Sequence, residues 1–379
     1  MAGAVAGAFA PAAPDAAMWA SWREDWRSLT FASTCVVPSN AWVDLELVGV
    51  RPATHDTSVF TFRLPWPGVP LGLPTCACLL ARAPGQEHPA EAYARDAEGR
   101  LVAPQRWSDE WGGMRAVSVS ASAPGGASPA RGDAVRPYTP VSHPTRVRGT
   151  FDLLVKHYRE WGDPRGGPPT NDVRFQHSYR PPGAFSSWLH GVPVGATVGF
   201  KHVPANCKLA YPFEGVRSIT MVAVGVGIAP MVQALHMLLD PDLGSPDVRV
   251  VLLYGNRTVA DVQCRDQLDA WEDAHGASGR FRTVHCIGSR WAGVRMGMAA
   301  PEDPAGFDSL RPAGRRRGWV SRDVIREEAA SPPAPDTRVF VCGLPEVYGA
   351  LCGPRHDPDV APGTALDLLG YTRTHVVKF

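Results

Sequence analysis

The residues best suited to chemistry stand in one short stretch, Arg136-Pro137-Tyr138-Thr139-Pro140-Val141-Ser142. Arginine presents a planar fork of N–H donors that matches a phosphate. Tyr138 offers a flat aromatic wall, and Thr139 a small hydroxyl donor. A flavin dinucleotide needs these three things: a fixed cation for its phosphate, a wall for its ring system and a hydroxyl near ring nitrogen N5. The plainer reading is a proline-containing strand end with an exposed arginine. A second stretch, Gly183-Ala184-Phe185-Ser186-Ser187-Trp188-Leu189, strengthens the first. Gly183 would let backbone approach a pyrophosphate, and Ser186 would stand near a helix N-terminus, where N–H groups face an anion. An ordinary capped helix is the alternative for this stretch.

These residues need elements to hold them. Val43, Leu45 and Leu47, then Phe60, Phe62 and Leu64, alternate at period two and predict two strands around a turn over 51–56. A short apolar run, Cys76 to Ala83, predicts a further strand. Phe151 to Tyr158 predicts the next, carrying Leu154 and Lys156. Between them, 84–133 is rich in Ala, Gly, Ser, Pro and charge, and reads as a long insertion with room for a short exposed hairpin. Irregular stretches are also expected over 162–182 and 293–317. The texture then changes. Ser218–Val224 reads as a buried strand ending in a glycine turn, Pro230 opens a helix through Leu239, and Asp261–His275 forms another. Strands at Val248–Tyr254, Arg282–Ile287 and Arg338–Cys342 complete βαβ units and a parallel sheet.

Bulk properties set limits. A chain of 379 residues suffices for two domains, and 38 basic against 37 acidic residues give no general attraction to nucleic acid or anionic membranes. The run Arg315-Arg316-Arg317 reads as a solvated loop. The longest apolar run, Ile219 to Met231, is too short for a bilayer span. Eight scattered cysteines and twelve histidines show no metal spacing, so no metal is expected and the thiols read as reduced. Cys76 and Cys78, if on a strand, would share a face.

The order of motifs resembles one family. Arg-x-Tyr-Thr, a Lys-bearing strand, Gly-x-x-Ser-x-x-Leu, a glycine turn leading to Pro-Met and a late Cys-Gly are similar to the NADH-cytochrome b5 reductases, of the ferredoxin reductase-like superfamily. The likeness runs from about Val43 to Phe379 and includes His55-Asp56-Thr57, Leu71-Gly72-Leu73-Pro74, Leu253-Tyr254-Gly255-Asn256-Arg257-Thr258 and the aromatic ending Val376-Val377-Lys378-Phe379. It implies a β + α/β chain: an N-terminal extension over 1–41, an antiparallel FAD-binding β-barrel over 42–213 with the insertion 84–133, and a parallel-sheet NAD(P)-binding domain over 214–379. It further implies that Arg136, Pro137, Tyr138, Thr139, Leu154, Lys156, Ala184, Phe185 and Ser186 hold FAD. Gly225, Gly227 and Pro230 would shape the turn under the nicotinamide nucleotide. Cys342, Gly343 and Phe379 would stand where nicotinamide meets flavin, with Thr139 and Cys342 as the catalytic pair. The implied reaction is hydride transfer from NADH to FAD, then single-electron release to a haem protein such as cytochrome b5.

The sequence departs from the family mainly on the nicotinamide side. Two threonines of the glycine turn are replaced by Val226 and Ala229, and Glu346 follows the late Cys-Gly. Gly288-Ser289-Arg290 stands where an acid would hold the adenosine ribose, which leaves NADPH open beside NADH. The alternative function is therefore a reductase-derived accessory subunit of a larger complex, with FAD structural and host subunits as partners. The Ala-rich first eighteen residues favour a mitochondrial over a cytosolic setting inside the cell. Asp15 and the lack of Arg or Lys before Arg23 argue against a transit peptide, and a flexible or docking tail is the alternative. Peripheral membrane association stays open.

Overall fold

The computed structural model describes residues 35–87, 105–108, 113–116, 132–159, 182–204, 208–288 and 306–379. The first domain is one antiparallel sheet of six strands: β1 (Val43–Thr54), β2 (Thr57–Arg63), β3 (Leu79–Ala83), β6 (Ala134–Tyr138), β7 (Thr150–Lys156) and β8 (Thr197–His202), in the order β6-β3-β8-β1-β2-β7. A bridge between Pro140 and Leu153, with the Val141 N–H on the Asp152 carbonyl at 2.9 Å, returns the last strand to the first and closes the barrel. Inside, Phe62 packs on Phe151 and Phe200 at 5.5 and 4.7 Å between centroids. Strand alternation explains who faces where. Phe151, Leu153 and Val155 enter the barrel core, while Leu154 points outward and packs with Val59, Cys76 and Val141 against the second domain.

Two expectations are corrected here. The first hairpin is tighter than expected: β1 runs on to Thr54, so the turn shrinks from 51–56 to His55-Asp56. The strand expected from Cys76 begins only at Leu79. Cys76 itself has φ 66° in a turn, so the shared-face reading of Cys76 and Cys78 fails. Within the insertion, β4 (Gln105–Ser108) and β5 (Gly113–Ala116) pair as a hairpin. The expected irregular stretch 162–182 lies almost wholly outside the described residues. A short helix α1 (Ala184–His190) then lays Phe185 and Leu189 into the barrel core.

The second domain is a parallel sheet in the order β12-β11-β10-β9-β13-β14: β9 (Ser218–Val224), β10 (Arg249–Asn256), β11 (Phe281–Ile287), β12 (Arg315–Arg317), β13 (Thr337–Cys342) and β14 (Val376–Lys378). Each central strand is apolar on both faces because helices cover both. Helices α2 (Ala229–Leu238) and α3 (Arg265–His275) belong to the face of Met221, Leu252 and Phe340; α4 (Arg322–Glu328), α5 (Pro345–Leu351) and α6 (Ala365–Leu368) belong to that of Val222, Leu253 and Val341. Pro230 in the first turn of α2 suits its missing N–H. Tyr211 and Phe213 already pack into the core of this domain.

Three more expectations change. The arginine run is the edge strand β12, not a solvated loop: Arg315 pairs with Asp308 at 2.7 Å and Arg316 with Glu328. The helix expected from Asp261 begins at Arg265; Asp261 instead closes a 3-10 turn in a capping box with Thr258. The C-terminal Val376–Lys378 adds a sixth strand.

Candidate functional site

The topological switch point of the sheet lies between β9 and β13, whose carboxyl ends diverge into Gly225 and Gly343. Such crevices are where open α/β sheets take nucleotides. The turn after β9 is a 3-10 segment, Gly225–Ile228, with Gly225 at φ 56°. A Cβ on Gly227 would sit 2.3 Å from the Cys342 carbonyl oxygen, so glycine is required for the two strand ends to touch. Beneath this turn, the Tyr254 hydroxyl lies 3.2 Å from the Gly225 carbonyl and beside the Gln263 amide oxygen. Burial raises the Tyr254 hydroxyl pKa, so this support stays neutral.

Cys342 is half-buried, and burial raises its thiol pKa, so it enters any reaction as a neutral thiol. Gly343 packs against Val347 of α5. Phe379 is buried, edge-on to Phe340 at 5.3 Å, with its carbonyl accepting from the Tyr348 hydroxyl. Pro230 joins this centre to the barrel: its carbonyl lies 3.6 Å from the Cys76 sulfur, and the next turn of α2 presents Gln233 to the Cys76 N–H. Glu346 is exposed in the first turn of α5, where the helix dipole favours a carboxylate.

On the barrel side, Arg136, Pro137 and Tyr138 end β6, opposite Ala81, Leu80 and Leu79, and Thr139 follows at once. Tyr138 packs on Phe185 of α1 with ring centroids 5.0 Å apart, which joins the first motif to the second. The Tyr158 N–H donates to Ser186 Oγ at 3.4 Å and the Gly183 N–H to the Tyr158 carbonyl at 2.7 Å, which fastens the end of β7 to Ala184-Phe185-Ser186. Gly183 is thereby explained by packing: a Cβ there would meet Ser186 Oγ at 2.4 Å. The Arg136 guanidinium is held by Glu87, Nη1 to Oε2 at 2.8 Å and Nη2 to Oε1 at 3.0 Å.

Lys156 links the two halves. Its ammonium is 2.6 Å from Asp56 in the barrel and 3.4 Å from Asp261 in the second domain. Burial pushes the Asp56 carboxyl up, but the Lys156 hydrogen bond and charge, with help from Thr57, leave it below its usual range. His55, Asp56 and Asp261 bring ligand atoms within 4.8 Å of one another, yet the Lys156 ammonium already supplies positive charge there. Tyr158, 40% exposed, lies in the electrostatic reach of both Asp56 and Cys342, hence in the cleft between domains. Leu154 stands apart from this polar set, buried in the domain seam.

The donor set on the barrel fits a flavin dinucleotide: a guanidinium, a tyrosine ring with an adjoining threonine hydroxyl, and a serine at the start of α1. The second domain fits a nicotinamide nucleotide by another sign. Asn256, at the carboxyl end of β10, is 4% exposed, and among the described residues neither of its amide atoms has a partner within hydrogen-bond geometry. Buried amides are rarely left so unless water or a ligand completes them. Sequence reasoning missed Glu87, Asp261 as the partner of Lys156, and the Asn256 amide. Only Asp261 had a local signal, the Thr258-x-x-Asp261 capping pattern.

Comparison with known proteins follows the same division. Residues 126–206 match the family described as the oxidoreductase FAD-binding domain, and residues 221–300 the oxidoreductase NAD-binding domain. The chain thus carries the FAD-binding and NAD-binding domains of an oxidoreductase and is similar to NADH-cytochrome b5 reductases. It is 26% identical over 340 residues to a Saccharomyces cerevisiae protein named NADH-cytochrome b5 reductase 2, covering 89% of this chain and 83% of that one. A Coccidioides immitis protein of the same name is 26% identical, with 89% and 77% covered. Among solved structures, the cytochrome b5 reductase domain of Ulva prolifera nitrate reductase superposes with a TM-score of 0.57 at 21% identity, covering 90% of this chain and 98% of that one. The CS-b5R domains of human Ncb5or give 0.51 at 17%, with 89% and 69% covered. At these identities the superpositions speak for the reductase fold alone.

Proposed function

We propose that this reductase takes electrons from NADH through FAD to a haem protein such as cytochrome b5. The observation that carries the reading is the meeting of two seats across one interface. The Gly227–Cys342 crevice and the Tyr138–Thr139 edge belong to domains tied together by Lys156 between Asp56 and Asp261. Bound FAD would supply the change from two-electron to one-electron transfer. The protein's share is placement. Arg136 and the start of α1 would hold the anionic end of the flavin, Tyr138 would back its ring, and Thr139 would offer a hydroxyl. The crevice floor, lined by backbone at Gly225, Gly227 and Gly343, would set the nicotinamide's approach. The buried seam of Leu154, Val59 and Val141 excludes water from the join.

The haem-protein acceptor rests on the names of the relatives. It is tested by NADH-dependent reduction of purified cytochrome b5, followed at the haem absorption band. Reduction that needs both FAD and the enzyme supports the reading. A flavin that bleaches while the haem stays oxidised sinks this acceptor. The second reading, a reductase-derived subunit of a larger complex with structural FAD, is favoured by Val226 and Ala229, which remove two hydroxyls from the crevice. It predicts bound flavin, no response to NADH or NADPH, and co-purifying subunits.

A further inference from the structure

Asp240 stands two residues past the end of α2, and its carboxylate, 1% exposed, is shared between the domains. Within its own domain, Oδ1 accepts from the Asp242 and Leu243 N–H groups at 2.8 and 2.9 Å. From the barrel, Arg146 Nη2 donates to Oδ1 at 2.7 Å, Arg146 Nε donates to Oδ2, and His143 Nε2 donates to Oδ2 at 3.0 Å. The other ring nitrogen fixes the histidine tautomer. Nδ1 accepts from the Thr145 and Arg146 N–H groups at 3.3 and 3.2 Å, so Nε2 carries the proton. A carboxylate this buried, met by a two-pronged guanidinium, is attached in one direction only.

The chain connects this clamp to both halves of the centre. His143 lies four residues beyond Thr139, and the Val141 carbonyl between them accepts from His236 of α2 at 3.1 Å. Asp240 lies ten residues beyond Pro230, where α2 leaves the glycine turn, about 15 Å along at 1.5 Å per residue. Near the turn, α2 meets the barrel through the Pro230 carbonyl and Gln233 at Cys76. A helix attached at one end can pivot on its neighbour; attached at both ends, it cannot.

We propose that Asp240, gripped by Arg146 and His143, is a positioning residue for hydride transfer, holding α2 at one angle to the barrel and so setting how the glycine turn meets the flavin edge. The proposal rests on the reductase reading above. The three side chains act through α2 and through 139–142, not by touching either cofactor. Releasing the clamp leaves both seats intact and misaligns them. A full ångström of misplacement costs on the order of a hundredfold in rate, so partial release corresponds to about tenfold.

The test is stopped-flow reduction of the FAD-loaded, full-length protein by NADH, with the limiting rate and the half-saturating NADH concentration taken separately. The proteins compared are the wild type, Arg146→Ala, Arg146→Lys and the double variant His143→Ala/Arg146→Ala. The Arg146 side chain is 47% exposed, so its truncation leaves the core in place. The limiting rate per bound flavin should fall about tenfold in Arg146→Ala, fall further in the double variant and recover in part in Arg146→Lys. Half-saturation and flavin content should stay near those of the wild type. A merely structural role would lower Tm or flavin content and leave the rate per bound flavin unchanged. If Arg146→Ala and the double variant reduce their flavin at the wild-type rate, or if only half-saturation changes, the proposal is overturned while the reductase reading stands. Should the double variant hold no flavin, the two Arg146 variants decide. A wild-type flavin that NADH does not reduce overturns both.

Discussion

On the barrel side of the cleft, the proposed recognition rests on side chains: the Arg136 fork, the Tyr138 ring against Phe185, and the hydroxyls of Thr139 and Ser186. On the other side it rests on backbone, with Gly225 and Gly227 folded onto Cys342 and hydrophobic Val226 and Ala229 where hydroxyls would add contacts. The contrast separates two ways of keeping a site. Side-chain donors are lost one substitution at a time, with graded effects. A backbone crevice tolerates changes in side-chain chemistry while its glycines remain, and collapses when one of them goes.

The largest expected effect follows from that last point. Gly227→Ala puts a Cβ within 2.3 Å of the Cys342 carbonyl, so one strand end must move. A shift of about an ångström in a reacting pair costs on the order of a hundredfold in rate, so flavin reduction by NADH should fall by about that factor. Bound flavin should persist, because the change lies in the other domain. Stopped-flow absorbance reads the first and the flavin-to-protein ratio the second; loss of both together would break the comparison. Next, Arg136→Lys keeps the charge and loses the fork, and should weaken FAD by roughly tenfold while leaving the reduction rate of the loaded enzyme near that of wild type.

The seam between the two sides gives a pH prediction. The His236 Nε2–H donates to the Val141 carbonyl across the domains, 3.1 Å away, and burial pushes the imidazole down to about 4 from 6.5. Between those values the unfolded chain holds more protons than the folded one, so stability is full above pH 6.5 and falls as pH drops toward 4. Asp240 adds to this at lower pH. Burial pushes its carboxyl up, but hydrogen bonds from Arg146, the Leu243 and Asp242 N–H groups and His143 hold it well below the usual range. Its contribution is present above its unfolded pKa of about 4 and lost as pH falls further. Thermal unfolding followed against pH should show the decline, and His236→Gln should flatten it between pH 4 and 6.5.

The smallest effect is a gain. Val226→Thr returns a hydroxyl to the crevice, and one added hydrogen bond of about 1 kcal/mol is worth roughly fivefold in the KM for NADH. An unchanged KM would show that the missing hydroxyls do not limit this side.

The same contrast explains what was legible in the sequence. Arg136-Pro137-Tyr138-Thr139 and Gly183 to Leu189 could be read because their chemistry lies in residue types, and the strands of both domains because apolar periodicity follows burial. The partners of those residues could not. Glu87 is 49 positions from Arg136 and Asp261 105 from Lys156, and nothing local to either acid marks its partner. The arginine run was misread because charge suggests solvent, whereas an edge strand can hold three arginines when Asp308 and Glu328 flank it. The close approach of Gly227 to Cys342 joins residues far apart in sequence and was visible only in the folded chain.

The most direct test of the central claim, that the barrel seat and the backbone crevice together form one working centre, is the visible absorption of the purified protein under anaerobic conditions before and after NADH. One working centre gives an oxidised flavin spectrum that bleaches on mixing with NADH. A flavin spectrum that neither NADH nor NADPH alters would contradict it and leave the crevice as an inherited shape.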